Sequence, residues 1–345
     1  MRKDIDGDVC HEILLKNAER KLGFLDGCDF AEWQTQVREK LFALLGMEKI
    51  EKNACPLRVD IEEKDSKDGY TQYRFTFESE VGAIVPCYLL IPDTGKEKYP
   101  VAITLQGHST GFHNSVGILK YPIDQENVGH WDFALQAVQN GFAALAIEQR
   151  GMGERHSKQY PNPTVQACAV TALHALTLGR TLLGERVWDV RKGIDALEAL
   201  GLPELDLDKI LITGESGGGT ASFYAACYDP RIRYVAPGYA FCSFKDSIWA
   251  IHHCCCNYIP GIAEWFEMED LACLIAPRPM TVIAGKLDTI FPLEGVKSAY
   301  ATVQKIYDKA KAADKCRLLI TERDHYWCQA PIWQTIKEET AKLGW

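Results

Sequence analysis

Gly214-Glu215-Ser216-Gly217-Gly218 places a serine between small residues in the pattern G-x-S-x-G. A serine hydroxyl is a poor nucleophile until a base takes its proton, and that base needs a third group to hold its tautomer. Downstream, Asp288 lies in Gly285-Lys286-Leu287-Asp288 and His325 in Arg323-Asp324-His325-Tyr326. The chain order Ser216, Asp288, His325 is the order an elbow-type nucleophilic triad uses. Asp246 and Asp324 remain rivals for the acid. An acyl-transfer site also needs two donors for the developing oxyanion. Gly217 N–H, directly after the serine, supplies one. His108 N–H, in Gln106-Gly107-His108, is the expected second.

The elements around these residues decide between two matches to the same short pattern. Residues 210–213 are aliphatic and β-branched, as in a strand buried on both faces. Residues 220–228 are Ala-rich and end at Asp229-Pro230, which stops a helix. Strand, G-x-S-x-G and helix together make a nucleophile elbow, with the serine on a sharp, strained turn at a helix N-terminus. The second match, Gly107-His108-Ser109-Thr110-Gly111, also follows a strand-like run, 101–106. The residues after it are broken by Gly117 and Pro122 and lack helical periodicity, so they read as a loop. Ser109 is therefore not the expected nucleophile, and its loop becomes the second half of the oxyanion site.

From residue 99 onward the chain alternates strands with helices. Strands are expected at 101–105, 142–147, 210–213, 233–240, 279–284 and 316–320. Helices are expected at 131–139, 164–183, 185–200, 293–310 and 332–343. Such alternation gives an α/β fold with a mostly parallel central sheet and helices on both faces. Residues 53–91 read as leading antiparallel strands, with Asp68-Gly69 as a turn. Helical periodicity over 11–46 makes 1–55 a helical N-terminal extension of one domain spanning 1–345. Loops at the strand C-terminal ends converge on one edge, where a site belongs.

With 345 residues, 47% hydrophobic and 25% charged, the chain buries a sizeable core. A net charge of −9 without a Lys/Arg cluster argues against nucleic acid and against an anionic membrane surface. Thirteen cysteines without a C-x-x-C pair read as reduced packing thiols in a cytoplasmic protein.

These motifs resemble the α/β-hydrolase superfamily over roughly residues 80–345. The branch they look most like contains acetyl xylan esterases, cephalosporin C deacetylases and dienelactone-hydrolase-like proteins. The carriers are Gln106-Gly107-His108, Arg150-Gly151-Met152-Gly153, 214–218, Asp288 and His325. The resemblance implies a serine esterase without a cofactor, acting on a small acyl ester, with acetylated carbohydrate as the leading substrate. It also implies that Arg150 orders loops around the site as structural support. Gln106, Gly217 and Tyr326 depart from the residues those relatives commonly have at these places.

Residues 241–276 stand where such hydrolases insert lid or pocket elements. Trp249, Tyr258 and Trp265 are the expected pocket aromatics. His252-His253-Cys254-Cys255-Cys256 invites a metal. Contiguous ligands diverge on a helix or a strand, though, and no second ligand pair completes a set, so no metal is expected. A peptidase or amidase with the same triad, and a catalytically silent binding protein on this fold, are the alternatives. Oligomeric state, homo-oligomer included, is open.

Overall fold

The computed structural model describes residues 6–345. Its nine strands are β1 (Val59–Lys67), β2 (Tyr70–Glu78), β3 (Ile84–Pro92), β4 (Tyr99–Leu105), β5 (Ala143–Ile147), β6 (Leu205–Glu215), β7 (Ile232–Gly238), β8 (Met280–Gly285) and β9 (Cys316–Thr321). They form one sheet in the order β1-β2-β3-β5-β4-β6-β7-β8-β9. Pairing is antiparallel from β1 to β5, and parallel from β5 through β4 to β9. The expected mixed sheet with a leading antiparallel section is thus observed. Strands β4, β5 and β8 are buried almost throughout, which explains their continuous apolar sequences.

The helices are α1 (Asp8–Lys16), α2 (Phe30–Leu45), α3 (Met47–Glu51), α4 (Pro122–Glu126), α5 (Phe133–Gln139), α6 (Val165–Thr177), α7 (Leu182–Leu200), α8 (Gly217–Tyr228), α9 (Leu293–Lys309) and α10 (Gln329–Lys342). Asp29 caps α2 by accepting from Ala31 and Glu32 N–H, and Gly46 at φ 79° ends it. Trp33, Val37, Leu41 and Leu45 of α2 enter the same core cluster as the sheet residues Ile103, Leu145 and Ile212. Helices α2 and α3, the latter through Met47 and Ile50, therefore share the main core, whereas α1 buries no residue. No single helix among the described residues is long and apolar enough to cross a membrane.

One local expectation shifts at Pro122. Pro122, read as a breaker, occupies the first turn of the short helix α4, where its missing N–H costs nothing. No helix directly follows Ser109, however; a 3-10 turn at Phe112–Val116 comes next, so no elbow forms there. Residues 241–276 are a chain of 3-10 turns, at Phe244–Asp246, Cys255–Asn257, Ile262–Glu264 and Met268–Leu274.

Candidate active site

Strand β6 ends at Glu215 and α8 begins at Gly217, so Ser216 has to reverse the chain within one residue. It does so at φ 53°, ψ −120°, a conformation an L-residue adopts only when its surroundings hold it there. Ser216 N–H donates to Gly238 O at 2.9 Å, and Thr220 N–H donates to Ser216 O at 2.8 Å. Gly218 allows the close crossing, since a Cβ there would run into the carbonyls of Leu105 and Gln106. The serine stands at the N-terminus of α8, where the helix dipole favours negative charge.

Asp288 follows β8 and is buried. Its Oδ1 accepts from Ile290 N–H at 2.8 Å and Phe291 N–H at 3.1 Å, and its Oδ2 lies 2.8 Å from His325 Nδ1. His325, after β9, stacks on Phe291 and meets Tyr239 edge-on. The rival acid Asp246 is turned toward the Ser243 hydroxyl instead. Ser109 Oγ accepts from Gly111 N–H at 3.3 Å, closing its own loop turn.

Ser216 and His325 line one cavity of about 360 Å³, together with Gly107, His108, Ser109, His130, Trp131, Val165, Glu215, Ile251, His252, His253, Cys254 and Ile290. Gly107 brings the β4 loop against the elbow, its Cβ position falling 3.2 Å from Ser216 Cβ. Among the described residues, neither Gly217 N–H nor His108 N–H has a hydrogen-bond partner within the protein. Both amides are thus free to serve an oxyanion.

The loop carrying His108 is fixed from below by buried polar groups. Glu148 accepts from Gln106 Nε2 at 2.7 Å, Glu154 N–H at 3.0 Å and Phe112 N–H at 3.3 Å, while Gln149 Nε2 donates to Gln106 O. Gly153, at φ 44°, leaves the space the Glu148 carboxyl fills. Burial raises the Glu148 pKa from 4.5 to about 7. Between those values the folded protein retains a proton the unfolded chain has released. The stabilising contribution is therefore complete below pH 4.5 and lost as pH rises through about 7. It amounts to about 3 kcal/mol. Glu148→Gln should flatten the fall in unfolding free energy between about pH 5 and 8, measured by urea denaturation of variant and parent; identical slopes would overturn this account.

Arg150 sits in a buried ionic cluster. It binds Glu80 at 2.7 Å, Asp189 at 2.7 Å and Glu185 at 3.3 Å, with Arg155 on Asp189 and Arg180 on Glu185. These contacts join the loop after β5 to the β2–β3 turn and to α7, a supporting position outside the cavity.

The pocket wall differs from expectation. None of Trp249, Tyr258 and Trp265 borders the cavity. Trp249 stacks on Phe244, and Tyr258 donates its hydroxyl to Ile248 O. Trp265 faces Lys21 and Lys40, covering the N-terminal segment. The irregular path through 241–276 turns these rings away and presents Ile251–Cys254 instead. Two further contributors had no sequence signal. Glu215 Oε1, beside the nucleophile, accepts from Trp327 N–H at 3.0 Å and lies 2.9 Å from His130 Nε2, tying the His325 loop to the elbow. His253 Nδ1 is 2.9 Å from the Asn257 amide nitrogen, which leaves its buried Nε2 without a partner. Burial, with His108, His325 and His252 nearby, lowers its pKa to about 4, so it is neutral at pH 7.

A family model for the Abhydrolase family matches residues 9–324. The chain belongs to that family. It is a hydrolase, and the resemblance drawn from its motifs holds. YtaP of Bacillus subtilis (strain 168), named as a hydrolase, is 25% identical over 247 residues, covering 70% of this chain and 78% of YtaP. Among solved structures, one described as an acetyl xylan esterase from Bacteroides fragilis superposes with a TM-score of 0.74 at 18% identity, covering 93% of this chain and 83% of that one. A glucuronoyl esterase from Solibacter usitatus gives a TM-score of 0.66 at 14% identity, covering 93% and 96%. At these identities the superpositions establish the α/β-hydrolase fold.

Proposed function

We propose that the protein is a serine esterase that cleaves small acyl esters through an acyl-enzyme. The observation that carries this reading is the strained Ser216 opening into the same cavity as a His325 held by Asp288. Ser216 Oγ attacks the ester carbonyl while His325 Nε2 takes its proton. The tetrahedral oxyanion lies between Gly217 and His108 N–H, and its collapse expels the alcohol, which His325 protonates. Water, activated by the same imidazole, then releases the acid and restores Ser216.

The cavity matches the size of small-molecule sites and suits a short acyl group with a sugar-sized alcohol. Exposed Val165 and Ile251 give it an apolar rim. The names of the superposable esterases favour a carbohydrate ester, and an acetyl ester is the leading candidate.

Purified protein should hydrolyse p-nitrophenyl acetate and acetylated xylo-oligosaccharides, and should leave the matched p-nitroanilide essentially intact. Equal turnover of amide and ester would replace this reading with an amidase. No turnover of any ester in the series, with Ser216 unlabelled by a fluorophosphonate, would indicate a silent binding protein on the same fold.

A further inference from the structure

We propose that His108, Cys168, Cys254 and Cys256 form a four-ligand zinc site behind the oxyanion loop. One ligand atom from each of the four lies within 4.8 Å of all the others. They come from three separate parts of the chain: the loop after β4, helix α6 and the 241–276 segment. Contiguity had argued against a metal at 252–256, but the structure uses only alternate residues. Cys254 and Cys256 point the same way across a 3-10 turn, Cys255 lies between them, and the remaining two ligands are supplied from elsewhere.

The spacing suits the ion. Zn–S bonds of about 2.3 Å and Zn–N bonds of about 2.0 Å at tetrahedral angles put sulfur and nitrogen roughly 3.5 Å apart, and two sulfurs roughly 3.8 Å apart. Cys256 Sγ is 3.5 Å from His108 Nε2. Three thiolates and an imidazole are a soft donor set, which selects zinc over magnesium or calcium. All four positions are filled by protein, as in structural rather than catalytic zinc sites.

Charge supplies an independent argument. Arg186 is buried, and its Nη2 lies 3.1 Å from Cys168 Sγ. Among the described residues no carboxylate pairs with it, although the neighbouring Arg150, Arg155 and Arg180 are all paired with acids. A buried guanidinium facing neutral thiols would be uncompensated. A zinc dication with three thiolates and a neutral histidine carries one negative charge, which Arg186 neutralises. On binding, each cysteine releases its thiol proton to solvent, and His108 coordinates through Nε2 without changing charge.

The position gives the site a consequence. The His108 ring lies between the cysteines and the elbow, with its Nδ1 and Cε1 3.3 Å from the Cβ position of Gly217. Zinc on Nε2 would pin that residue, whose own N–H is unpartnered in the cavity, to α6 and to the pocket wall. The metal site does not rest on the esterase reading, so its test is a metal measurement.

Full-length protein purified without chelator, after removal of any histidine tag, should contain about one zinc per chain by plasma mass spectrometry. Cys168→Ser, Cys254→Ser and Cys256→Ser should each lower that content about tenfold or more, while Cys255→Ser and Cys242→Ser retain it. Reduced, metal-free wild type titrated with Co²⁺ should show thiolate-to-cobalt charge-transfer absorption and tetrahedral d–d bands; this measurement decides the question if the serine variants fail to fold. Less than about 0.1 zinc per chain, with no cobalt spectrum, would overturn the proposal. A disulfide among Cys168, Cys254 and Cys256 in a non-reducing peptide map of freshly purified protein would overturn it as well.

Discussion

Ser216→Ala is expected to lower ester turnover by about 10³-fold or more while leaving the melting temperature nearly unchanged. The two halves of that expectation have different causes. Alanine keeps the Cβ, so the backbone at φ 53° is no more and no less strained than before, and the Ser216 N–H bond to Gly238 is untouched. The hydroxyl is the only atom removed, and it is the proposed nucleophile. Gly217 and His108 N–H would still stabilise an oxyanion formed by direct attack of water, so a residual rate above background should survive. His325→Ala combined with Ser216→Ala should cost little more than either alone, because the two act as one unit. Peptide mapping of fluorophosphonate-treated wild type should place the adduct on Ser216. An adduct on Ser109, or undiminished turnover by Ser216→Ala, would remove Ser216 from the mechanism.

The elbow was readable from sequence because it is local. A buried strand, a serine between glycines and an Ala-rich helix are consecutive, and each constrains its neighbour. Asp288 and His325 were readable for a different reason: parallel strands bring their C-terminal loops to one edge, so residues just after β8 and β9 had to lie near residues just after β6. The pocket wall obeys neither rule. Residues 241–276 fold as separate 3-10 turns with no period to say which side faces inward, and aromatic residue type alone pointed to Trp249, Tyr258 and Trp265, which pack elsewhere. The Glu215–His130 contact spans 85 positions and that of Cys256 with His108 spans 148. Neither spacing is marked by any local pattern. The cysteines show this most directly. Cys254 and Cys256 look like part of an undifferentiated run until Cys168 and His108 close on them.

Asp288→Asn tests the third member and should be about as damaging as losing the nucleophile's base, on the order of a 10³- to 10⁴-fold fall in kcat. The local hydrogen bonds explain why a nearly isosteric change has so large an effect. Oδ1 of Asp288 accepts from two backbone N–H groups, at Ile290 and Phe291, and Oδ2 faces His325 Nδ1. An asparagine amide has one oxygen and one NH2 group. Placing NH2 at the Oδ1 position would oppose two donors, so the oxygen must take that place and the NH2 must face His325. Nδ1 then becomes an acceptor, the ring proton moves to Nε2, and His325 has no lone pair left to receive the proton of Ser216. Asp288→Ala should be no worse than Asp288→Asn, because alanine removes the bond without imposing the wrong tautomer. Fluorophosphonate labelling of Ser216 should slow in parallel with turnover, since it needs the same base. If Asp246→Asn, whose carboxyl serves Ser243, lowers kcat far more than Asp288→Asn, the acid has been misassigned.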